Sequence, residues 1–243
     1  MSNYKSGSLK LKPNLLQQHQ PDMIRFLYFC LIISFTTNTW AQDQESKQPK
    51  GVAIAKKGTP VLDAKMDEIW KSCPKYMVNQ PITESLEIDP KDMATATVRL
   101  LWDDGHLYAL WVVKDSELSA DAGDDWAQDS VELFLDQNQA RSTTYDADDA
   151  QYRVNYEGKI SGQGTGYDEA DIKAATVKNK KGYIVEMAIR THAADMKSGT
   201  VMGIEFQVND EHDRAQRDAI AKWFHTKDDS WQDTSTFGKV QLK

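Results

Sequence analysis

Short runs in which apolar and polar residues alternate recur along the chain from residue 52 onwards, separated by turns rich in Gly and Asp. Such alternation is typical of β-strands, because successive side chains of a strand point to opposite faces of the sheet. The pattern predicts strands at residues 95–102, 106–113, 130–136, 150–157, 172–178, 183–190, 201–209, 218–225 and 237–242.

Two turn sequences support this assignment. Asp103-Asp104-Gly105 and Asn179-Lys180-Lys181-Gly182 each lie between two predicted strands and indicate β-hairpins. Residues 67–70 could form one helical turn, and residues 158–171 are predicted to be a surface loop that could border a ligand. Closely spaced strands without intervening helices predict an all-β protein, an antiparallel β-sandwich of the jelly-roll or immunoglobulin-like type with little helix.

The N-terminal residues have the composition of a secretory signal. A charged start at Met23-Ile24-Arg25 precedes an apolar run at residues 26–35, and Thr39-Trp40-Ala41 supplies small residues at the −3 and −1 positions of a cleavage site. The apolar run is too short to span a bilayer. The sequence therefore predicts cleavage after Ala41 and a secreted or periplasmic protein.

The remaining chain is divided by composition into a polar leader at residues 42–50, predicted to be disordered, and one domain at residues 51–243. We expect residues 1–41 to comprise an N-terminal extension and the signal peptide. Translation could start at Met1 or at Met23, and we expect Met23.

Charge and cysteine content exclude several classes of protein. The formal net charge is −8, and without residues 1–41 it becomes −11 (25 basic and 36 acidic side chains). An acidic domain of this kind is not expected to bind nucleic acid or an anionic membrane surface. Only Cys73 remains after the predicted cleavage, so no intramolecular disulfide is expected.

Three polar residues on alternate positions of one predicted strand are the main candidates for chemistry: Gln151, Arg153 and Asn155. The residues on the opposite face of that strand suit a core: Tyr152, Val154 and Tyr156. Two amides and a guanidinium would then project together and offer donors and acceptors suited to hydroxyl groups. The alternative is an ordinary solvated sheet face, in which Arg153 pairs with a neighbouring carboxylate.

Further residues extend this candidate site. Glu132 lies on the polar side of the strand predicted at residues 130–136, and Trp126 and Trp231 lie in polar, loop-like surroundings. Flat aromatic side chains beside planar hydrogen-bonding groups suit a sugar, which has apolar C–H faces and a polar rim. The sequence therefore favours an oligo- or polysaccharide as the partner.

The chain at this point resembles a known family, the family 9 carbohydrate-binding modules that accompany secreted xylanases. The resemblance covers residues 52–243 and rests on segments that follow one another in the order of the family: residues 126–136, 148–156, 182–186, 207–210, 230–233 and 237–238.

The resemblance implies a β-sandwich that binds the ends of β-glycans, such as oligosaccharides of xylan or cellulose or simple sugars, without cleaving them. By position it implies that Trp126 and Trp231 hold the sugar between them. It assigns the polar contacts to Glu132, Gln151, Arg153 and Asn155. Asp228 stands where an asparagine is expected, and a carboxylate at that position only accepts hydrogen bonds.

Acidic residues that precede the strand of Gln151, Arg153 and Asn155 indicate a possible metal site. Asp146, Asp148 and Asp149 could supply oxygen ligands to calcium, although Gln151 occupies the position at which an EF-hand requires glycine. The alternative is a solvated acidic turn. Resemblance to the family 9 modules, which carry structural calcium, favours a structural calcium ion.

Two other functions remain as alternatives. The chain could be an accessory part of a glycoside hydrolase system, or a haem-binding redox module of the same fold with axial ligands such as Met187, Met202 or His225. It has no Cys-x-x-Cys-His attachment sequence, so no haem is expected. Neither a HExxH zinc sequence nor a Gly-x-Ser-x-Gly elbow is present, so independent catalysis is not predicted. The sequence leaves the oligomeric state open, with a monomer as the expectation.

Overall fold

Over the residues that the structure describes, the fold is nearly all-β, with thirteen strands and one four-residue α-helix. The computed structural model describes residues 50–192, 194–212 and 215–243. The predicted signal peptide and residues 42–49 of the predicted leader lie outside the described residues. Within the described part of the chain, no helix has the length and apolar character needed to cross a bilayer.

The element bounds agree closely with the alternation pattern. The helix α1 spans Glu68–Lys71, one residue from the predicted helical turn. The strands are β1 (Val52–Lys57), β2 (Tyr76–Val78), β3 (Gln80–Pro81), β4 (Thr95–Trp102), β5 (His106–Lys114), β6 (Ser130–Asp136), β7 (Asp149–Asn155), β8 (Ile160–Gln163), β9 (Ile172–Asn179), β10 (Gly182–Arg190), β11 (Val201–Glu211), β12 (Arg217–Lys222) and β13 (Gly238–Leu242).

The strands form two halves that share β1. The first half-sheet has the order β8-β7-β6-β11-β13-β1, with β12 attached to β11 and to β3; the second has the order β1-β4-β5-β10-β9, with β2 attached to β4. Residues 52–55 pair with β13, whereas Lys56 and Lys57 pair with β4. The predicted all-β fold class is confirmed. Most strand pairings are antiparallel, but both pairings of β1 are parallel, so the sheet is mixed and barrel-like at β1.

The core lies between the two half-sheets. Trp111 of β5 and Phe206 of β11 meet edge to face, with ring centroids 5.5 Å apart. Tyr152 and Val154 of β7 are fully buried, as the alternation predicts for that face of the strand. Burial of each large apolar side chain contributes about 1.5–3 kcal/mol. With one buried cysteine and no disulfide among the described residues, this core provides the main stabilisation.

The segment 158–171 differs from its prediction as a loop, because it contains β8. Gly162 in this strand explains why the signal was weak. A Cβ atom at Gly162 would lie 2.3 Å from the Gln151 carbonyl oxygen and 2.3 Å from the Tyr167 ring, so only glycine fits. Close approach of a neighbouring backbone is a known reason for glycine inside a strand.

A buried carboxylate fastens the N-terminal segment to the second half-sheet. Glu186 of β10 is fully buried and accepts hydrogen bonds from the backbone N–H groups of Asp63 (2.9 Å) and Ala64 (2.8 Å) and from Nε1 of Trp70 (2.9 Å). Burial raises the pKa of Glu186, while these three hydrogen bonds oppose the rise.

We predict that Glu186→Ala lowers the free energy of unfolding by at least about 3 kcal/mol, because three donors lose their acceptor and each buried unpaired group costs about 1–3 kcal/mol. Urea unfolding measures the change. Glu68→Ala is the matched control, since the Glu68 side chain is 88% exposed on α1. Equal stability of the two variants would contradict the role given to Glu186.

Candidate functional site

The face of the first half-sheet that points away from the core carries a pocket of about 300 Å³. Strands β6, β7, β8 and β11 supply its polar base, and β12 with two flanking loops supplies its sides. The pocket is lined by Trp126, Glu132, Phe134, Gln151, Arg153, Gln163, Gln207, Arg217, Asp228 and Trp231.

Strand register brings the polar residues together. Glu132 of β6 lies opposite Arg153 of β7 and opposite Gln207 of β11. Residues directly opposite one another share a face of the sheet, so their side chains are neighbours. Nε of Arg153 donates to Oε1 of Glu132 at 2.5 Å, and Asn209 donates to the same oxygen at 2.9 Å. The pair is nearly inaccessible to solvent, with Glu132 1% and Arg153 7% exposed.

Two amide oxygens inside this pocket have no partner. Gln151 and Gln207 are each 2% exposed, and Oε1 of each side chain is buried without a hydrogen bond among the described residues. A buried polar atom left unpaired costs about 1–3 kcal/mol, so such atoms usually have a bound partner. The polar residues of this strand are buried, so the face is not solvated. The pairing of Arg153 with a neighbouring carboxylate, which the alternative also included, is present as the bond to Glu132.

Two half-exposed tryptophans flank the buried polar groups. Trp126 lies in a 3₁₀ turn, Asp125–Ala127, and Trp231 lies in the loop between β12 and β13. Their exposed fractions are 46% and 47%, and both line the pocket. The sequence correctly separated them from Trp70, a residue of α1 whose side chain is fully buried. Exposed aromatic side chains at the edges of a polar pocket provide apolar contact area for a ligand.

The loop that carries Trp231 is held by hydrogen bonds to its neighbours. Ser230 accepts a bond from the Tyr145 hydroxyl through its carbonyl oxygen (2.6 Å), and its Oγ accepts one from Nζ of Lys222 (2.6 Å). Gln163 donates to the Trp231 carbonyl oxygen at 3.4 Å. Burial lowers the pKa of Lys222, and Glu205 opposes the change. These hydrogen bonds thus hold the backbone of the loop at Trp231 in the absence of a ligand.

Asn155 is the predicted site residue that does not line the pocket. Its Oδ1 accepts hydrogen bonds from the backbone N–H groups of Glu157 (3.0 Å) and Lys159 (2.8 Å). Its Nδ2 donates to the side chain of Gln128 at 3.0 Å, and Gln128 in turn donates to the Ala122 carbonyl oxygen at 2.9 Å. Asn155 therefore supports the segment that carries Trp126, because the turn after β7 directs its side chain there.

Four lining residues were missed by the sequence: Phe134, Gln163, Gln207 and Arg217. Gln207 and Asn209 alternate with buried apolar residues on β11, a pattern similar to that of Gln151 and Arg153, so an available signal was not used. Arg217 lies at the start of β12, about ten residues from Gln207 and from Asp228, and the pairing of β11 with β12 brings it beside the pocket.

The predicted residue Asp228 lies in the pocket beside this arginine. Nη2 of Arg217 donates to Oδ2 of Asp228 at 2.5 Å. Burial raises the pKa of Asp228, while Arg217 and Lys222 oppose the rise. Arg217 also stacks on Trp126, with its guanidinium carbon 5.0 Å from the ring centroid.

One acidic cluster agrees in part with the predicted metal site. Carboxylate oxygens of Asp136, Asp148 and Asp149 lie within 4.8 Å of one another, so two of the three predicted ligands are present and Asp136 takes the place of Asp146. Asp146 instead accepts a hydrogen bond from the Asp148 backbone at 3.3 Å. Oδ1 of Asp149 is buried without a partner among the described residues, which suits a cation.

A second acidic cluster was not predicted. Oxygens of Asp115, Asp129 and Asp210 also lie within 4.8 Å of one another, and Oδ2 of Asp115 is buried without a partner in the described part of the chain. Burial and mutual repulsion raise the pKa of Asp115 and of Asp129. These aspartates come from three separate strand ends, so no local sequence motif marks them. Both clusters could hold a metal ion.

The candidate haem ligands lie elsewhere. Met187 and Met202 are fully buried in the core between the half-sheets. His225 is bonded to Asp229 through Nε2 and to the Thr236 hydroxyl through Nδ1 at 2.6 Å. None of the three lines the pocket.

Known proteins with similar sequences point to carbohydrate recognition. The family described as "Carbohydrate family 9 binding domain-like" matches residues 62–243. Endo-1,4-β-xylanase A of Thermotoga neapolitana is 42% identical over 191 residues, which are 79% of this chain and 18% of that xylanase. The exoglucanase XynX of Acetivibrio thermocellus is 39% identical over 207 residues, 85% of this chain and 18% of that enzyme.

Solved structures agree with this match. A family 9 carbohydrate-binding module from Caldicellulosiruptor kristjanssonii, in complex with cellotriose, has a TM-score of 0.71 at 33% identity and covers 79% of this chain and 93% of its own. A family 9 module from that organism has also been solved with glucose. The chain belongs to carbohydrate-binding module family 9. It spans less than a fifth of the length of the xylanase and exoglucanase that it matches.

Proposed function

We propose that this protein binds the ends of β-linked glucan or xylan chains, or the corresponding simple sugars, without hydrolysing them. The observation that carries the proposal is a pair of oxygens, Oε1 of Gln151 and of Gln207, which are buried without a partner among the described residues in a pocket that Trp126 and Trp231 also line. Sugar hydroxyl groups can donate to both oxygens while the apolar face of the ring lies against an indole. Family members crystallised with cellotriose and with glucose support this choice of ligand.

The size of the pocket supports binding of a chain end. A volume of about 300 Å³ between two tryptophans suits a short piece of sugar better than a long, flat polysaccharide surface. A free anomeric hydroxyl also presents one more polar group than a linked sugar unit does. We therefore place the reducing end of the chain in the pocket, and we expect a secreted or periplasmic location.

The carboxylates of the pocket suit binding better than hydrolysis. A glycosidase needs one carboxyl group to act as a general acid and a second as nucleophile or base. Here Glu132 is bonded to Arg153 and Asp228 to Arg217, both at 2.5 Å. Both groups are thereby committed to ion pairs. The chain also matches only the binding-module part of its enzyme relatives.

We further propose that each of the two acidic clusters binds a structural calcium ion. Calcium takes six to eight oxygen ligands in flexible geometry, and each cluster offers buried carboxylates with one unpartnered oxygen. An ion in the first cluster would hold the loop between β6 and β7. An ion in the second cluster would hold the strand ends around Asp129, close to the segment that carries Trp126. Each ion would supply positive charge to neutralise the grouped carboxylates.

The two tryptophans provide the first test. Trp126→Ala or Trp231→Ala should each weaken binding of cellobiose by about 1–3 kcal/mol, because each substitution removes one apolar contact surface. Isothermal titration calorimetry measures the loss, and circular dichroism checks that the fold persists. Val177→Ala is the control, since Val177 is 45% exposed outside the pocket. Unchanged affinity in both tryptophan variants would place the site elsewhere.

Calcium provides the second test, through its dependence on pH. Burial raises the pKa of Asp149 to about 7 and that of Asp210 to about 6, whereas both aspartates in the unfolded chain titrate near the ordinary value of 3.8. The metal-free fold thus retains protons that the unfolded chain releases, and its stability falls as the pH rises from about 4 to about 7. Calcium requires ionised carboxylates, so its stabilising effect grows over the same range.

We predict that the rise in Tm on replacing EDTA with calcium is larger at about pH 8 than at about pH 5. Thermal unfolding followed by circular dichroism measures it. Asp149→Asn should reduce the rise, whereas Asp104→Asn, in the exposed hairpin turn, should not. Superimposable melts in calcium and EDTA at both pH values would contradict the metal assignment.

Reduced sugars provide the third test. Borohydride opens the terminal ring of cellobiose, which removes the flat surface for stacking and the anomeric hydroxyl. Reduced cellobiose should bind at least about tenfold more weakly than cellobiose, a difference of about 1.4 kcal/mol in calorimetry. Methyl β-cellobioside, which keeps a closed ring, separates the two contributions. Equal binding of reduced and unreduced cellobiose would reject recognition of the reducing end.

A further inference from the structure

A largely apolar row crosses the outer face of the second half-sheet, the half that does not carry the pocket. Strand register places its members side by side. Ile184 of β10 lies opposite Val177 of β9 and opposite Val112 of β5. Thr97 of β4 lies opposite Val112 and opposite Met77 of β2. Val177 is 45% exposed and Met77 is 42% exposed, so both ends of this outer row are open to solvent.

The neighbouring part of the same face is covered by the segment that contains α1. Leu110 and Ala188 are buried there in a cluster with Trp70, and Ile184 packs against the edge of that cluster. Ile184 therefore marks the limit of the covered part, and the outer row extends beyond it. An apolar strip that stays exposed on a folded domain is a candidate contact surface.

The exposed charged side chains around the outer row are basic. Side chains two or four residues apart on a strand share a face, so the outward positions can be read along β4, β5, β9 and β10. They include one acid, Glu186, which is buried and accepts a hydrogen bond from Trp70. The other charged residues at outward positions are Arg99, Lys114, Lys173 and Arg190. Nε and Nη1 of Arg99 lack a hydrogen-bond partner among the described residues, so no acid bonds the guanidinium at these atoms. We call the outer row and these basic residues the outer surface.

The rest of the molecule is acidic. Without residues 1–41 the chain has 25 basic and 36 acidic side chains, so the acidic excess lies away from the outer surface. Glu87 and Asp124 are exposed and line an open groove of about 750 Å³. Arg217 also lines this groove, but it is already paired with Asp228. The lining of this acidic groove therefore carries a net negative charge.

We propose that the outer surface docks on the acidic groove of a second copy of the chain. Opposite charges bring the two surfaces together, and the outer row is then removed from water. Contact between two outer surfaces would bring like charges together, so the association is head-to-tail. Such a contact leaves one outer surface and one groove free at its ends, and further copies can add there. The inference goes beyond sugar binding and does not rest on it.

Exposed charges make this contact weak and sensitive to salt. The monomer expected from the sequence is then the form found in dilute solution or at high salt. Sedimentation velocity over a range of protein concentrations tests this. At an ionic strength of about 0.01 M the mean sedimentation coefficient should rise with protein concentration, and at about 1 M it should stay constant, because the Debye length falls from about 30 Å to about 3 Å.

Reversal of charge on the outer surface should disrupt the contact. Protein with both Lys114→Glu and Lys173→Glu should associate at least about tenfold more weakly than the parent at low salt. The matched control carries Lys50→Glu and Lys239→Glu, which make the same change of net charge at exposed positions before β1 and on β13. Circular dichroism checks that each variant is folded. Association that falls equally in the two variants would reflect net charge alone and would overturn the inference.

An exchange of charges identifies the partner surface. Protein with both Glu87→Lys and Asp124→Lys should also fail to associate with itself. An equimolar mixture of this protein with the Lys114→Glu, Lys173→Glu protein should associate again, because each outer surface then meets a groove of opposite charge.

A mixture that stays monomeric would overturn the inference, as would a parent protein that stays monomeric at low salt. A monomeric parent that binds poly-L-glutamate through Lys114 and Lys173 would assign the outer surface to another acidic partner, and the role of a second copy would be wrong.

Discussion

Burial of polar side chains on the outer face of the first half-sheet is the constraint on which the rest of the structure depends. A sheet face covered by loops cannot leave its amides, carboxylates and guanidinium groups to water, and each unpaired group costs about 1–3 kcal/mol. Glu132, Arg153 and Asn209 meet this requirement by bonding to one another. Gln151 and Gln207 do not, since each keeps one buried oxygen without a partner among the described residues. These two unpaired oxygens therefore lower the stability of the ligand-free fold, and a bound ligand could restore it by donating hydrogen bonds to them.

The loops around this polar face hold the two tryptophans and so complete the site. Tyr145 and Lys222 fix the loop of Trp231 through Ser230, and Asn155 fixes the segment of Trp126 through Gln128. These hydrogen bonds hold the segments that carry the two tryptophans, so little of the binding free energy is needed to order those segments. Asp115 and Asp129 lie at the two ends of the segment that carries Trp126, and Asp148 lies in the loop that carries Tyr145. An ion bound at either cluster would therefore stabilise the fold and the site together.

The sequence predicted most of the fold because alternation of apolar and polar residues is a local signal. Nine predicted strands match observed ones, including the hairpins at Gly105 and Gly182. The short strands β2 and β3 carry too few residues to show a period, and β8 was hidden by Gly162. The parallel pairings of β1 follow from tertiary contacts alone. In the site, Trp126, Glu132, Gln151, Arg153, Asp228 and Trp231 were all predicted and all line the pocket. Arg217 was not, because its place beside the pocket depends on the pairing of β11 with β12. The cluster of Asp115, Asp129 and Asp210 was not, because the fold brings together residues distant in sequence.

We propose that the oxygens of Gln151 and Gln207 that have no partner among the described residues accept hydroxyl groups of a bound sugar. A crystal structure of the protein with cellobiose would show whether they do. We expect one pyranose ring between Trp126 and Trp231, with hydroxyl oxygens about 2.5–3.0 Å from Oε1 of both glutamines, the usual O–H···O distance. A sugar bound outside the pocket, or one inside it whose hydroxyl groups contact neither oxygen, would rule out this role of the two glutamines.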